Sequence, residues 1–402
     1  NVVRSDTNNM RIARNGGLKA TSLAYLYRNL NPFILHDLDY KIKNINELAR
    51  DTSLEPLERV ERALRKFGRL STSEIVTPPK VADDIVALLP EEGIDENTRF
   101  LDIASKQAEF ACALYRRFGD KVHNNIVSLP TSPLTYEFTR KVYSLLGLPI
   151  NNIISTFNSY DLIGDNQETY KNILKNMNFN AVIGNPPYIN VERLNPVLKE
   201  HLFTYYHTCT GRTDIYIGFI EHGLMLLRGR GVLTYIIPYA FTNQNYAELS
   251  RRNILDSYGL DEIVDTSEYL VFDNAMVKNI ILRVKNEAVT ETAIKHASNS
   301  AAFSNNDFCS RYIDPQKFRQ LRKCRFETKD FEPLLDLKSR IESISFPLRK
   351  ICFIGYGVRV NSKYDKQKPK AYYVSPIKQA GYKPFVEGKD IERYAHTNRG
   401  WL

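Results

Sequence analysis

The stretch from Ala181 to Tyr188 reads Ala-Val-Ile-Gly-Asn-Pro-Pro-Tyr, an apolar run that passes directly into a turn with two prolines. The run 181–184 is typical of a buried parallel strand. The two prolines cannot donate to a strand ladder and disfavour an immediate helix, so the turn is stiff. Asn185 adds an amide side chain and Tyr188 a flat ring. Fixed acceptors beside an aromatic ring suit the binding of a planar amine, such as the amino group of a nucleobase; an ordinary surface loop is the alternative.

The composition is that of a globular protein with more than one domain. The chain has 402 residues, of which 43% are hydrophobic and 25% charged, and no run reaches the length of a membrane span. Its five cysteines include no Cys-x-x-Cys pair. This spacing argues against a zinc site and a disulfide framework, and it fits a reducing cytoplasm. We therefore expect no bound metal.

Strands and helices alternate from residue 99 onward, which predicts a doubly wound α/β sheet with mostly parallel strands and helices on both faces. About ten residues separate the last two strands, too few for a helical crossover, so the final strand is expected to run antiparallel. Residues 1–75 are expected to form a polar helical segment, and a domain boundary is placed near residue 330. The seven predicted strands are Phe100–Ile103, Asn125–Leu129, Ile153–Phe157, Ala181–Gly184, Val232–Ile237, Glu262–Thr266 and Val277–Val284.

The C-terminal segment is strongly basic. Between Arg349 and Leu402 there are twelve Lys and Arg residues against four acids, which is a surplus of eight out of the net charge of +9. Six tyrosines lie among them. Such a pattern suits a polyanion with accessible bases, although a solvated lysine-rich loop is the alternative. The residues predicted to bind DNA are Lys363, Lys366, Lys368, Lys370, Lys389 and Arg393.

Asn-Pro-Pro-Tyr after a strand resembles the catalytic motif of amino-group methyltransferases, above all the DNA adenine-N6 enzymes. The order of a cofactor motif, this motif and a basic C-terminal segment resembles the gamma-class (Taq-type) group, including the methylase part of fused type II restriction-modification enzymes. The resemblance implies the class-I methyltransferase fold with a seven-stranded sheet, a catalytic domain over residues 76–330 and the start of a target-recognition domain over residues 331–402. It also implies a location in the bacterial cytoplasm.

The same resemblance implies an activity and partners. The expected reaction moves a methyl group from S-adenosylmethionine to N6 of an adenine flipped out of double-stranded DNA. The Asn185 side-chain oxygen and the Pro186 carbonyl would accept the two hydrogens of the amino group, while Tyr188 stacks on the base. Val271-Phe272 resembles the family segment that supplies a second stacking ring, so Phe272 is predicted there, with a core position as its alternative. Further partners would be nuclease or helicase domains of the same polypeptide or complex.

The cofactor side of the resemblance centres on the loop after the first strand. Lys106 and Ala108 occupy the two positions where the family motif has glycines, and no acid occurs between Asn125 and Tyr136, where the family places a ribose-binding carboxylate. The cofactor pocket is therefore either built differently or impaired. The residues implied to contact the cofactor are Thr77, Pro78, Asp102, Ala104, Ser105, Asp161, Leu162, Asn185 and Phe219.

Two other functions remain open from the sequence. Asn-Pro-Pro-Tyr also serves methyltransferases that act on RNA or on protein glutamine. Alternatively, the chain is a DNA-binding subunit that kept the fold and lost catalysis, which the substituted glycines and the missing acid favour. The presence of Asn185 and Tyr188 argues against this last reading.

Overall fold

A computed structural model describes residues 43, 47–48, 50–64, 75–91, 93–154, 178–272, 277–352, 374–386, 391–392, 395–397 and 400–401. The chain divides into two compact units, residues 1–331 and 332–402. The division falls one residue after the boundary predicted from the sequence. The functional roles assigned to the domains remain predictions.

The first unit is built on an eight-stranded mixed sheet with the order β2-β1-β3-β4-β6-β5-β7-β8. The pairs β2–β1, β1–β3, β3–β4 and β5–β7 are parallel, whereas β4–β6, β6–β5 and β7–β8 are antiparallel. The strands are β1 Phe100–Ser105, β2 Ile126–Pro130, β3 Phe179–Gly184, β4 Leu227–Pro238, β5 Gly259–Asp265, β6 Asn279–Lys285, β7 Thr292–His296 and β8 Cys309–Ile313.

The α/β class and the antiparallel final strand are confirmed, since β6 runs against both of its neighbours. The strand count differs from the prediction. The predicted strand at 153–157 is represented by a single parallel bridge between Ile153 and Ser128, and residues 155–157 lie outside the described part. β7 and β8 were not predicted. β8 is an edge strand with mostly exposed or half-buried side chains, so its sequence carries no apolar run.

Helices connect the strands of the first unit. Pro78 precedes the helix Pro79–Ala87 and Pro79 begins it. The N–H groups at these positions have no partner within a helix, so proline loses no hydrogen bond there. Ser132 and Thr135 form a reciprocal capping box at the start of the fourth. The helices are α1 Pro56–Leu64, α2 Pro79–Ala87, α3 Glu109–Phe118, α4 Pro133–Leu146, α5 Pro196–Tyr205, α6 Ile215–Met225, α7 Ala240–Asn243, α8 Glu248–Ser257, α9 Ser300–Ser304 and α10 Lys317–Gln320.

The hydrophobic core lies between the sheet and its helices. α3 is buried along most of its length against α2 and β1, and α6 is buried on all sides from Ile215 to Leu224. A helix that is apolar all round belongs in an interior rather than on a surface. Core members from the strands include Phe100, Ile126, Ile183, Ile236 and Ile281. This packing fixes the carboxyl ends of β1 and β3, where the candidate site lies.

The second unit contains a helix, α11 Glu332–Ile344, and short strands. The strands are β9 Pro384–Phe385, β10 Ile391–Glu392, β11 Ala395–His396 and β12 Gly400–Trp401, which pair antiparallel as β9 with β12 and β10 with β11. Among the described residues of both units, every helix is too short or too polar to span a lipid bilayer. The same residues contain no group of three or more His, Cys, Asp or Glu side chains placed to bind a metal ion.

Candidate active site

The topology brings two turns together at one edge of the sheet. The chain leaves β1 toward β2 on one side and later returns to β3 on the other, so the strand order reverses between β1 and β3. Open α/β sheets bind ligands in the crevice beyond the carboxyl ends of strands at such a reversal. Gly184 pairs with Ile103 at the end of the two strands. A Cβ atom at Gly184 would collide with the Ile103 carbonyl, so glycine lets the strands approach closely just before Asn185.

The amide of Asn185 is held from one side. Its Nδ2 donates to Thr77 Oγ1 at 3.1 Å and to the Ile75 carbonyl at 3.4 Å, and the residue is buried. Because the Ile75 carbonyl can only accept, the NH2 group must face it. The Oδ1 atom therefore faces the other way. Within the described part of the chain, Oδ1 and the Pro186 carbonyl accept no hydrogen bond, so both can bind donors on a ligand.

The backbone carbonyl of Asn185 is held from the opposite side by Lys106. The Lys106 ammonium donates to this carbonyl at 2.6 Å and to the Ala104 carbonyl at 3.4 Å. The Lys106 side chain is buried and crosses from the loop after β1 to the turn after β3. The sequence identified Lys106 only as a departure from a glycine motif and did not predict this contact.

Glu109 organises the loop after β1. Its carboxylate accepts from the backbone N–H groups of Lys106 at 3.1 Å, Gln107 at 2.9 Å and Thr77 at 3.4 Å. Glu109 is also the first residue of α3, where the helix dipole favours a negative charge. Ala108, which precedes it, has a left-handed backbone with φ of 58°. The loop thus keeps at Ala108 a conformation that glycine adopts more easily.

Asp102 lies fully buried in the middle of β1. Its Oδ2 accepts from the Ser128 hydroxyl at 3.0 Å. Burial, and next the charge of Glu109, raise the pKa of Asp102 to about 7, while the Ser105 and Ser128 hydroxyls oppose this shift. A carboxyl group with such a pKa changes protonation within the physiological range. Ala104 and Ser105, predicted to contact a cofactor, are buried beside it.

The ring of Tyr188 is fixed by its hydroxyl group. The hydroxyl donates to the Ile236 carbonyl of β4 at 3.1 Å and accepts from Asn279 Nδ2 of β6 at 3.1 Å. Burial raises the pKa of Tyr188 well above its usual value, so the ring is neutral. It meets Tyr216 edge-on, with 6.2 Å between ring centroids. Tyr188 is thus a rigid, uncharged plate next to Asn185, and the sequence did not reveal the supporting role of Asn279.

Residues at the start of α6 support this ring. Asp214 is the residue directly before α6. Its carboxylate accepts hydrogen bonds from Asn190 Nδ2 and from the Tyr246 hydroxyl, both at 3.1 Å. Burial raises the pKa of Asp214, and these two hydrogen bonds lower it. The hydroxyl groups of Tyr246 and Tyr216 are 3.0 Å apart. The result is a polar network that fixes the edge of Tyr216 against Tyr188.

Two predicted aromatic residues lie in the interior. Phe272 is only 2% exposed and belongs to the main hydrophobic core, and Phe219 is equally buried in α6. The position of Phe272 matches its core alternative. Stacking of Phe272 on a base and of Phe219 near a cofactor therefore stay untested predictions.

Of the predicted site residues not yet located, one lies in the described part of the chain. Pro78 is half-buried at the start of α2, beside Thr77. The remaining predicted cofactor and DNA contacts lie outside the described residues: Asp161, Leu162, Lys363, Lys366, Lys368, Lys370, Lys389 and Arg393.

The end of β2 carries no carboxylate among the described residues 126–136. Thr131 and Ser132, which follow the strand, are used to begin α4. Glu137 is buried one turn into that helix and pairs with Arg140 at 2.8 Å. The residues present therefore fit S-adenosylmethionine in the topology of the crevice and in the left-handed backbone of Ala108. They differ from the usual pattern at the expected ribose contact.

Comparison with known proteins agrees with this geometry. Residues 104–272 match the Eco57I restriction-modification methylase family. The match starts at Ala104 near the end of β1, ends at Phe272 and contains the Asn-Pro-Pro-Tyr turn. The expected resemblance to methyltransferases of restriction-modification systems is confirmed, and its gamma-class details remain predictions.

Individual relatives extend the comparison to the Eco57I enzyme itself. The chain is 36% identical over 96 residues to the type II methyltransferase M.BstVI of Geobacillus stearothermophilus, which covers 24% of this chain and 17% of that protein. It is 27% identical over 117 residues to the type II restriction enzyme and methyltransferase RM.Eco57I of Escherichia coli, with 28% and 12% covered. The chain spans less than a fifth of the length of these relatives.

Solved structures share the fold. A type I restriction-modification methyltransferase subunit from Streptococcus thermophilus superposes with a TM-score of 0.52 at 16% identity, over 66% of this chain and 61% of that one. The type IIG restriction endonuclease BpuSI gives 0.51 at 15% identity, over 79% and 38%. The fold is that of class-I S-adenosylmethionine-dependent methyltransferases, with an eight-stranded sheet here.

Proposed function

We propose that this chain is the methylase part of a restriction-modification enzyme and that it methylates N6 of a flipped adenine in DNA. One observation carries the proposal. The NH2 group of Asn185 is held by Thr77 and Ile75, which leaves Asn185 Oδ1 and the Pro186 carbonyl as two acceptors on one turn. An adenine amino group has two hydrogens, so it matches this pair.

The chemistry follows from the weak nucleophilicity of that amino group. Its lone pair is shared with the ring, and two acceptors that draw its hydrogens out of the ring plane return the lone pair to nitrogen. Fixed acceptors also place the nitrogen for an in-line displacement, in which the new nitrogen–methyl bond would form as the donor's methyl–sulfur bond breaks. One N–H proton would then leave to solvent, so positioning replaces a strong base. Tyr188 would stack on one face of the base, since its hydroxyl is tied to Ile236 and Asn279 and its ring cannot turn away.

S-adenosylmethionine, when bound, supplies an electrophilic methyl group. The residues that would hold it are those around the crevice between β1 and β3: Thr77, Pro78, Asp102, Ala104, Ser105 and Asn185, with Asp161, Leu162 and Phe219 implied by resemblance. Double-stranded DNA is the proposed partner, because the basic segment after residue 349 suits phosphate contacts. Nuclease or helicase functions would come from other parts of the same polypeptide or complex.

A radiolabelling experiment tests this function. The protein is incubated with methyl-labelled S-adenosylmethionine and mixed-sequence DNA, and the nucleosides are separated. We expect label in N6-methyladenine, and a loss of at least about 100-fold in Asn185→Ala, because a transition-state acceptor is removed. Asn305→Ala, which changes an exposed asparagine, is the matched control and should keep full activity.

The other outcomes identify the competing functions. Label in RNA or in protein glutamine instead of DNA would replace the proposed substrate. A second candidate, a DNA-binding subunit without catalysis, is favoured by Lys106 crossing the crevice and by the absence of a carboxylate at the end of β2. Binding of DNA without binding of S-adenosylmethionine in calorimetry would support that candidate and contradict methylation.

A further inference from the structure

We propose that Lys106 is a positioning residue that fixes the backbone of Asn185, and that it does so as part of a closed hydrogen-bonded circuit with Glu109 and Thr77. This inference deepens the proposed function and rests on it, since Asn185 is the residue proposed to bind the target amine. It assigns a role to the loop between β1 and α3, which departs from the glycine pattern.

The circuit returns to its starting residue through four hydrogen bonds. Lys106 Nζ donates to the Asn185 carbonyl at 2.6 Å, and Asn185 Nδ2 donates to Thr77 Oγ1 at 3.1 Å. The Thr77 N–H donates to Glu109 Oε1 at 3.4 Å. Glu109 Oε2 accepts the Lys106 N–H at 3.1 Å, which closes the path. Asn185 is thus held through its backbone and through its side chain by a single connected group.

All four residues are buried, with exposures of 1% to 4%. Burial of an ammonium and a carboxylate is costly unless hydrogen bonds compensate for lost water. The 2.6 Å contact of Lys106 has the length of a charge-assisted hydrogen bond. The hydrogen bonds that compensate for the burial of Lys106 include those to the Ala104 carbonyl and to the carbonyl of Asn185, the proposed catalytic asparagine.

The circuit restrains the two acceptors in different ways. The Lys106 contact fixes the peptide plane between Asn185 and Pro186, because this plane contains the Asn185 carbonyl. The Thr77 contact fixes the rotation of the Asn185 amide, which sets the direction of Oδ1. The separation between Oδ1 and the Pro186 carbonyl then depends on both. Small displacements of reacting groups cost large factors in rate, so loss of Lys106 should slow the chemical step.

The test compares single-turnover methylation rates with affinities for S-adenosylmethionine. Lys106→Met keeps the length and apolar stem but removes the donors. We expect the single-turnover rate to fall about 10- to 100-fold, with the donor affinity changed far less. Lys106→Arg, which keeps N–H donors, should recover part of the rate, whereas Lys106→Gly, the residue of the family motif, should not. Lys121→Met, at an exposed lysine, is the matched control.

A second variant probes the other side of the circuit if Lys106→Met does not fold. Thr77→Val preserves volume and removes the acceptor for Asn185 Nδ2. It should lower the single-turnover rate in the same range when S-adenosylmethionine is saturating, a condition chosen because Thr77 is also proposed to hold the donor. Wild-type rates in Lys106→Met or Lys106→Gly, or in Thr77→Val, would overturn the inference.

An independent readout separates this inference from the proposed function. The side-chain NH2 resonances of Asn185 in ¹⁵N-asparagine-labelled protein are assigned by their loss in Asn185→Asp. Lys106→Met should shift them and Lys121→Met should not. A wild-type protein that methylates nothing, but whose Asn185 resonances respond to Lys106→Met, would refute the function and keep the positioning role. Unmoved resonances would refute the positioning role whatever the activity.

Discussion

At the scale of single residues, Asp102 makes the stability of the folded chain depend on pH. Its pKa in the folded chain is about 7, whereas the ordinary value is 3.8. The folded state therefore holds a proton on this carboxyl group between these values, while the unfolded state has lost it. Stability from this group is present at low pH and is lost as the pH rises from about 4 to about 7.

Asp102→Asn should remove this dependence, because the amide is neutral at every pH and still accepts from Ser128. Relative to the wild type, the variant should gain stability as the pH rises from 4 to 8, by about 4 kcal/mol. Urea unfolding at the two pH values measures the difference. Asp120→Asn, at an exposed acid, should show no such gain, and parallel pH profiles for Asp102→Asn and wild type would contradict the buried ionisation.

The residues of the site were predictable in part. Asn185 and Tyr188 can be predicted as site residues because the two prolines between them restrict the backbone. Such a restriction can be recognised from the sequence alone. Lys106, Glu109 and Asn279 were not assigned roles, since each acts through a contact with a residue distant in the chain. The spacing of residues along the sequence does not reveal such contacts. A lysine at a glycine position of the family motif indicates by itself only a departure from that motif.

At the scale of elements, the close approach of β1 and β3 sets the geometry of the crevice. Gly184→Ala should force these strands apart, because the new methyl group meets the Ile103 carbonyl, a backbone atom that cannot rotate away. We expect a loss of about 1–3 kcal/mol in unfolding free energy, as in other overpacked interiors. Denaturant titration measures it, and methylation by the folded fraction should also drop. An unchanged midpoint would show that the strands can separate freely.

Strands can be predicted from the sequence where their residues are buried without interruption. The runs in β3 and β4 are buried on both faces, and such strands read as apolar blocks. The reversal of β6 followed from a short connection. β7 and β8 were not predictable, because only the first three residues of β7 and the last residue of β8 are buried. The edge of a sheet has few residues whose identity the core dictates.

At the scale of the whole molecule, the division after Phe331 suggests a separation of tasks. A chain ending at Phe331 should keep its affinity for S-adenosylmethionine and lose most of its affinity for DNA, because the surplus of basic residues lies after Arg349. Titration of fluorescent DNA at several salt concentrations tests this. The full chain should bind with a steep salt dependence, and equal DNA affinity of the two forms would place the DNA contacts in the first unit.

The contacts around Asn185 also bear on when the proposed active site can form during folding. Lys106 and Asn185 are 79 residues apart, and Thr77 and Asn185 are 108 apart. Contacts of such long range form late, because a large loop must close before they gain any stability. A newly made chain can thus complete α3, β2 and α4 while its amine-binding acceptors are still unformed. We expect the proposed catalytic arrangement to form only when β3 docks beside β1, so partly folded chains should not methylate DNA.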